Sequence, residues 1–138
     1  MSTKGDLGVE LAAYELMRAG WRVQYNKGYL VGNYERQGPD ITAKRGKTTI
    51  LVEVKFRDAF IKTNTGEVSV TLPEYKQMQY LALVLRDKDK NIEEEIRWEY
   101  RIYFAPKKKL TLRKYGKKHE YYRIGIPDIK RNATKQFT

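Results

Sequence analysis

Residues 38–57 read Gly-Pro-Asp-Ile-Thr-Ala-Lys-Arg-Gly-Lys-Thr-Thr-Ile-Leu-Val-Glu-Val-Lys-Phe-Arg, and their pattern decides the fold. Asp40, Ile41, Thr42 and Ala43 alternate polar and apolar, as a half-buried strand does, and Pro39 is tolerated at a strand start. Lys44-Arg45-Gly46-Lys47 supplies a tight turn, with Gly46 free to adopt positive φ. Thr48 to Phe56 is rich in β-branched residues and predicts a largely buried strand. Because successive strand side chains point to opposite faces, Ile50, Val52, Val54 and Phe56 share one face and Leu51, Glu53 and Lys55 the other.

Glu53 places an acid inside Ile-Leu-Val-Glu-Val, where a bare carboxylate is costly unless it is paired or binds a cation. A hairpin brings Asp40 near Glu53, with Lys55 beside it. Two carboxylates can hold a hard cation such as Mg²⁺ through oxygen. A neighbouring lysine can orient water or offset charge on a phosphate, which together suit metal-assisted phosphodiester hydrolysis. Taken alone, Glu-x-Lys on a strand is usually a solvated ion pair worth little. Pro-Asp alone is no more specific: Pro127-Asp128 has no Glu-x-Lys after it and reads as a turn. Specificity lies in the combination of Pro-Asp, hairpin and Glu-x-Lys within a buried strand.

That combination resembles the PD-(D/E)XK nuclease superfamily, with Pro39, Asp40, Glu53 and Lys55 at the motif positions. Within it, the first half is similar to the archaeal Holliday-junction resolvases. It is also similar to small bacterial nuclease-like proteins carrying Val-Glu-Val-Lys-x-Arg, here Val52 to Arg57. The likeness spans about residues 4–85. It implies a restriction-endonuclease-like α/β core and a Mg²⁺ site (Mn²⁺ being an alternative) on Asp40, Glu53 and the Val54 carbonyl. It further implies an assisting Glu10 on the first helix, and a homodimer that places two sites on a branched DNA. Gln77-Met78-Gln79-Tyr80 matches the Gln-x-x-Tyr of RecB-like members of the superfamily, which gives Gln77 a place beside the scissile phosphate.

The formal net charge of +11 over 138 residues favours a polyanionic partner, with nucleic acid first. The length suits one domain, read as residues 1–130 with a polar tail at 131–138. No apolar run reaches the roughly 20 residues that span a bilayer. No signal-peptide pattern stands at the N-terminus, and cysteine is absent, so an intracellular protein is expected.

Along the chain, residues 6–19 predict a helix closed by Gly20, with Leu7, Glu10, Tyr14 and Met17 on one stripe. On spacing, Glu10 either reaches water at the stripe's edge or points toward the metal; Glu15 is a less favoured substitute. Residues 21–25 and 29–34 read as strands, 58–67 as a loop, and 68–71 as a short strand. Pro73 suits the first turn of a helix over 73–86, whose apolar side includes Tyr75, Met78, Leu81 and Leu85. Glu93-Glu94-Glu95 and His119 read as solvated surface. Residues 96–104 alternate as a strand, and 110–115 with 120–124 predict a hairpin around Gly116.

Lys107, Lys108, Lys109, Arg113, Lys114, Lys117 and Lys118 cluster with no acid among them, near Tyr115, Tyr121 and Tyr122. Such a patch suits phosphate contact and base stacking, although it also suits a charged edge that blocks sheet aggregation. Lys4, Arg36 and Arg57 complete the expected DNA-contacting set. The expected activity is a Mg²⁺-dependent DNA endonuclease. A nuclease of linear or damaged duplex, an RNA-processing nuclease and a non-catalytic binder on the same scaffold remain alternatives.

Overall fold

The computed structural model describes residues 4–26, 39–59, 66–88, 97–115 and 121–135, with the side chains of Lys4 and Tyr115 outside that description. A five-stranded mixed sheet runs in the order β1-β2-β3-β5-β6: β1 (Arg22–Tyr25), β2 (Ile41–Arg45), β3 (Thr48–Asp58), β5 (Tyr80–Lys88) and β6 (Trp98–Pro106). The β1-β2-β3 and β5-β6 pairs are antiparallel, while β3 and β5 run parallel from Val52↔Tyr80 to Asp58↔Arg86. A smaller sheet joins β4 (Glu67–Thr71), β8 (Tyr121–Gly125) and β7 (Arg113–Tyr115) in the order β4-β8-β7.

Helix α1 (Lys4–Arg18) covers one face of the large sheet. Its C-terminus carries two reverse bonds, Gly20 N–H to Met17 O and Trp21 N–H to Leu16 O, and Gly20 takes φ 91° to make them. Val9, Ala12, Ala13 and Leu16 are buried against Ile50, Val52, Val54 and Phe56 of β3. The stripe expected on α1 is corrected at Tyr14, 58% exposed, and Met17, 48%; Leu7 packs against the core, and Glu10 is exposed, in line with the water-facing reading of it. Gly8, Ala12 and Ala13 share this face with Val9 and Leu16, and Gly8 stands closest to the sheet. A Cβ on Gly8 would stand 3.2 Å from that of Phe56.

The opposite face is covered by the small sheet with α2 (Leu72–Gln77) and α3 (Ile126–Arg131). Val68, Val70, Met78, Ile124 and Ile129 pack there onto Leu81, Leu83, Leu85 and Ala105. The helix expected over 73–86 is thus replaced by a six-residue helix and a nine-residue strand. Tyr-Leu-Ala-Leu-Val-Leu is apolar at every position, which fits a strand buried on both faces between parallel and antiparallel neighbours. Met78 adopts an extended φ/ψ of −78°/151° and ends α2 there.

Two smaller expectations also change. Asp58 closes β3 instead of opening a loop, and it is buried against Arg86 at 2.6 Å. Pro127 and Asp128 start α3 instead of making a turn, and Asp128 Oδ2 accepts the Thr111 N–H at 2.7 Å. Beyond α3, the Thr134 N–H donates to Phe104 O at 2.8 Å. The expected C-terminal hairpin forms as β7-β8 and pairs through β8 to β4. Tyr29 to Tyr34, Glu93 to Glu95 and His119 lie outside the described residues. Among those described, no helix is long and apolar enough to cross a membrane.

Candidate active site

The β2-β3 register sets Ile41 opposite Val52, which brings Asp40, one residue before β2, alongside the middle of β3. Asp40 is 3% exposed, and its Oδ2 accepts the Val54 N–H at 2.9 Å. Glu53 is 1% exposed and lies on the face opposite α1, as strand alternation requires. Lys55, two residues on, shares that face, with Nζ 3.9 Å from Glu53 Oε2. The hairpin thus gathers Asp40, Glu53 and Lys55, three of the expected site residues.

A fourth ionic group, absent from the sequence expectation, completes the cluster. Glu74 sits in the first turn of α2, where Thr71 and Glu74 form a reciprocal capping box. Glu74 Oε1 accepts the Thr71 N–H at 2.8 Å, and both carboxylate oxygens accept from Lys55 Nζ, at 3.2 and 3.1 Å. The signal was present in Thr71-Leu72-Pro73-Glu74, a cap residue with Glu three positions on. Its convergence on Lys55 depends on the β3-to-β5 crossover, which no local pattern reveals.

Electrostatics divide these acids. Burial, then the Asp40 and Glu74 carboxylates, push the Glu53 carboxyl up to about 9 against the opposing pull of Lys55. Partial burial also acts to raise Glu74. The Thr71 N–H, the Lys55 ammonium and a hydrogen bond from Glu53 outweigh it and hold Glu74 below its ordinary value. The surroundings thus favour the neutral form of Glu53 and the charged form of Glu74. Among the described residues no three His, Cys, Asp or Glu side chains already form a cation cage. The donor set nevertheless fits a hard cation. Asp40 and Glu53 offer carboxylate oxygen from adjacent strands, and Mg²⁺ is commonly held by one or two carboxylates with its remaining positions filled by water.

The other expected residues stand elsewhere. Glu10 is exposed on α1, and the described residues include no hydrogen bond or ion pair from it to the cluster. Gln77 is exposed at the end of α2 while Tyr80 opens β5, so Gln-x-x-Tyr does not lie on one helix. The neighbouring Gln79 is the engaged amide: its Oε1 accepts the Leu51 N–H at 3.0 Å. Arg57 is half-buried, which lowers its pKa, and donates to its neighbour's carbonyl, Phe56 O. Lys107 Nζ donates to Tyr75 O and Lys76 O at 2.9 and 3.3 Å, so it tethers the end of α2. Arg113 pairs with Glu67 at 2.6 Å. Lys108, Lys109 and Lys114 are exposed. Arg36, Lys117, Lys118 and the Lys4 side chain lie outside the described residues. A cleft of about 360 Å³ is lined by Thr49, Gln79, Pro106 and Lys108 among others, and neither Asp40, Glu53 nor Lys55 lines it.

No family model matches this sequence, and no curated protein matches it. Among solved structures, the chain is similar to Hjc, a Holliday junction resolvase from the archaeal hyperthermophile Archaeoglobus fulgidus. The TM-score is 0.54 at 18% identity, over 92% of this chain and 88% of that one. The likeness is one of fold: a mixed α/β, restriction-endonuclease-like architecture.

Proposed function

We propose that this protein is a divalent-metal-dependent DNA endonuclease selective for branched substrates. The observation that carries the proposal is the convergence of Asp40, Glu53 and Lys55 on adjacent strands of a resolvase-like sheet. Asp40 and Glu53, with the Val54 carbonyl, would hold Mg²⁺ or Mn²⁺, which when bound supplies Lewis acidity and activated water.

Each side chain then has a distinct task. The Val54 N–H fixes the Asp40 carboxylate against β3. To hold a cation, Glu53 would give its proton up to solvent, since a ligating carboxylate must be ionised. Lys55 orients the attacking water and offsets charge at the phosphate. The excess of basic residues draws the DNA backbone to the surface. Preference for a junction, and a dimer to cut its two strands, are supported by the likeness to a resolvase.

The test is a panel of labelled substrates: four-way junction, linear duplex, single strand, flap and RNA, each with Mg²⁺ and with EDTA. The expected result is Mg²⁺-dependent cleavage that is fastest on the junction. Preferred cleavage of RNA, or binding without cleavage of any substrate, would contradict it.

A further inference from the structure

We infer that Glu74 is a positioning residue for Lys55, a role that rests on the nuclease function proposed above. The lysine ammonium is 3.1–3.2 Å from both Glu74 oxygens but 3.9 Å from Glu53 Oε2, so Glu74, not the strand acid, fixes where Nζ sits. Lys55 is a four-carbon stem with three rotatable donors, and without an anchor Nζ would sample many positions. The anchor is itself built in. Thr71 N–H holds Glu74 Oε1 at 2.8 Å, Thr71 Oγ1 accepts the Glu74 N–H at 3.2 Å, and Pro73 presets the first turn. Both side chains are about four-fifths removed from water, at 18% and 21% exposure, so the pair is not a surface bridge free to exchange with solvent. The chain thus fixes its amine in place from a second element, α2, before any substrate arrives.

The capping box allows the positioning role to be separated from a structural one. Glutamine at the third helical position also closes such a box, so Glu74→Gln keeps α2 while removing the ionic hold on Lys55. The first measurement is labelling of lysines by a small amine-reactive reagent in the metal-free protein, mapped by peptide mass. Lys55 is expected to react several-fold faster in Glu74→Gln than in wild type, with Lys108 unchanged. The second is single-turnover cleavage of the junction. At saturating Mg²⁺ a loss of about 10- to 100-fold in rate is expected, the scale of a misplaced reacting group, with junction affinity unchanged. Glu74→Asp, which keeps the charge but shortens the reach, is expected to recover only part of the rate. Equal Lys55 labelling, or equal rates with wild type active, would overturn the inference and leave the nuclease proposal standing. An inactive wild type would remove the nuclease proposal and the catalytic half of this inference, while labelling still decides the anchoring.

Discussion

Glu53 is a buried acid whose surroundings favour its neutral form. Its folded pKa of about 9 stands far above the ordinary 4.5, with burial as the main cause. Between those values the folded chain holds a proton that the unfolded chain releases, so stability is full at low pH and falls as pH rises through this window. The slope approaches about 1.4 kcal/mol per pH unit for one such group. Urea unfolding in EDTA at pH 5, 7 and 9 is expected to show wild type losing stability relative to Glu53→Gln; parallel pH profiles would contradict it. The same proton must leave when a cation binds. Mg²⁺ affinity is accordingly expected to rise with pH below about 9, and calorimetry in buffers of different ionisation enthalpy should detect proton release. Asp40, Glu53 and Lys55 were legible in the sequence, because strand alternation and a hairpin suffice to gather them. Glu74 was not, since it reaches Lys55 across a non-local crossover.

At the scale of elements, the packing of α1 on β3 depends on a missing side chain. Gly8 brings the helix so near that an added Cβ meets Phe56 at 3.2 Å and Val54 at 3.5 Å. Gly8→Val is expected to destabilise the fold by about 1–3 kcal/mol, measured by urea denaturation, as overpacked cores do. A neutral or stabilising effect would mean that α1 can move off the sheet without cost. The α1 stripe misled at Tyr14 and Met17, which share helical spacing with Leu7 yet stay exposed, while Val9, Ala12, Ala13 and Leu16 are buried on the sheet. Residues 73–86 misled for another reason. Leu72, Tyr75, Met78, Leu81 and Leu85 fit a helical face, but the uninterrupted Leu81 to Leu85 run fits a strand buried on both sides, and pairing with β3 decides. Short apolar runs carry both patterns, so tertiary packing has to choose.

Over the whole molecule, the +11 charge is spread unevenly in its uses. Lys107 and Arg113 are engaged within the fold, Lys107 on the carbonyls of α2 and Arg113 on Glu67. Lys108 and Lys109 are exposed on the same 3₁₀ turn as Lys107 and remain suited to phosphate. Substituting both by Ala is expected to weaken junction binding and lower the slope of log affinity against log salt by about 2, one for each phosphate no longer neutralised. Lys107→Ala is expected to reduce thermal stability as well as binding; an unchanged melting temperature would return Lys107 to the DNA-contacting set. The basic cluster was plain from composition, but which lysines serve the fold itself depends on non-local partners, such as the α2 carbonyls that Lys107 reaches. Hydrolysis at the Asp40–Glu53–Lys55 centre is the central claim, and Asp40→Asn tests it most directly. Asparagine retains an oxygen to accept the Val54 N–H but removes the negative charge. With Mg²⁺ and a labelled four-way junction, this variant is expected to bind as tightly as wild type and to leave the junction uncut. Cleavage at the wild-type rate would contradict the assignment of the centre.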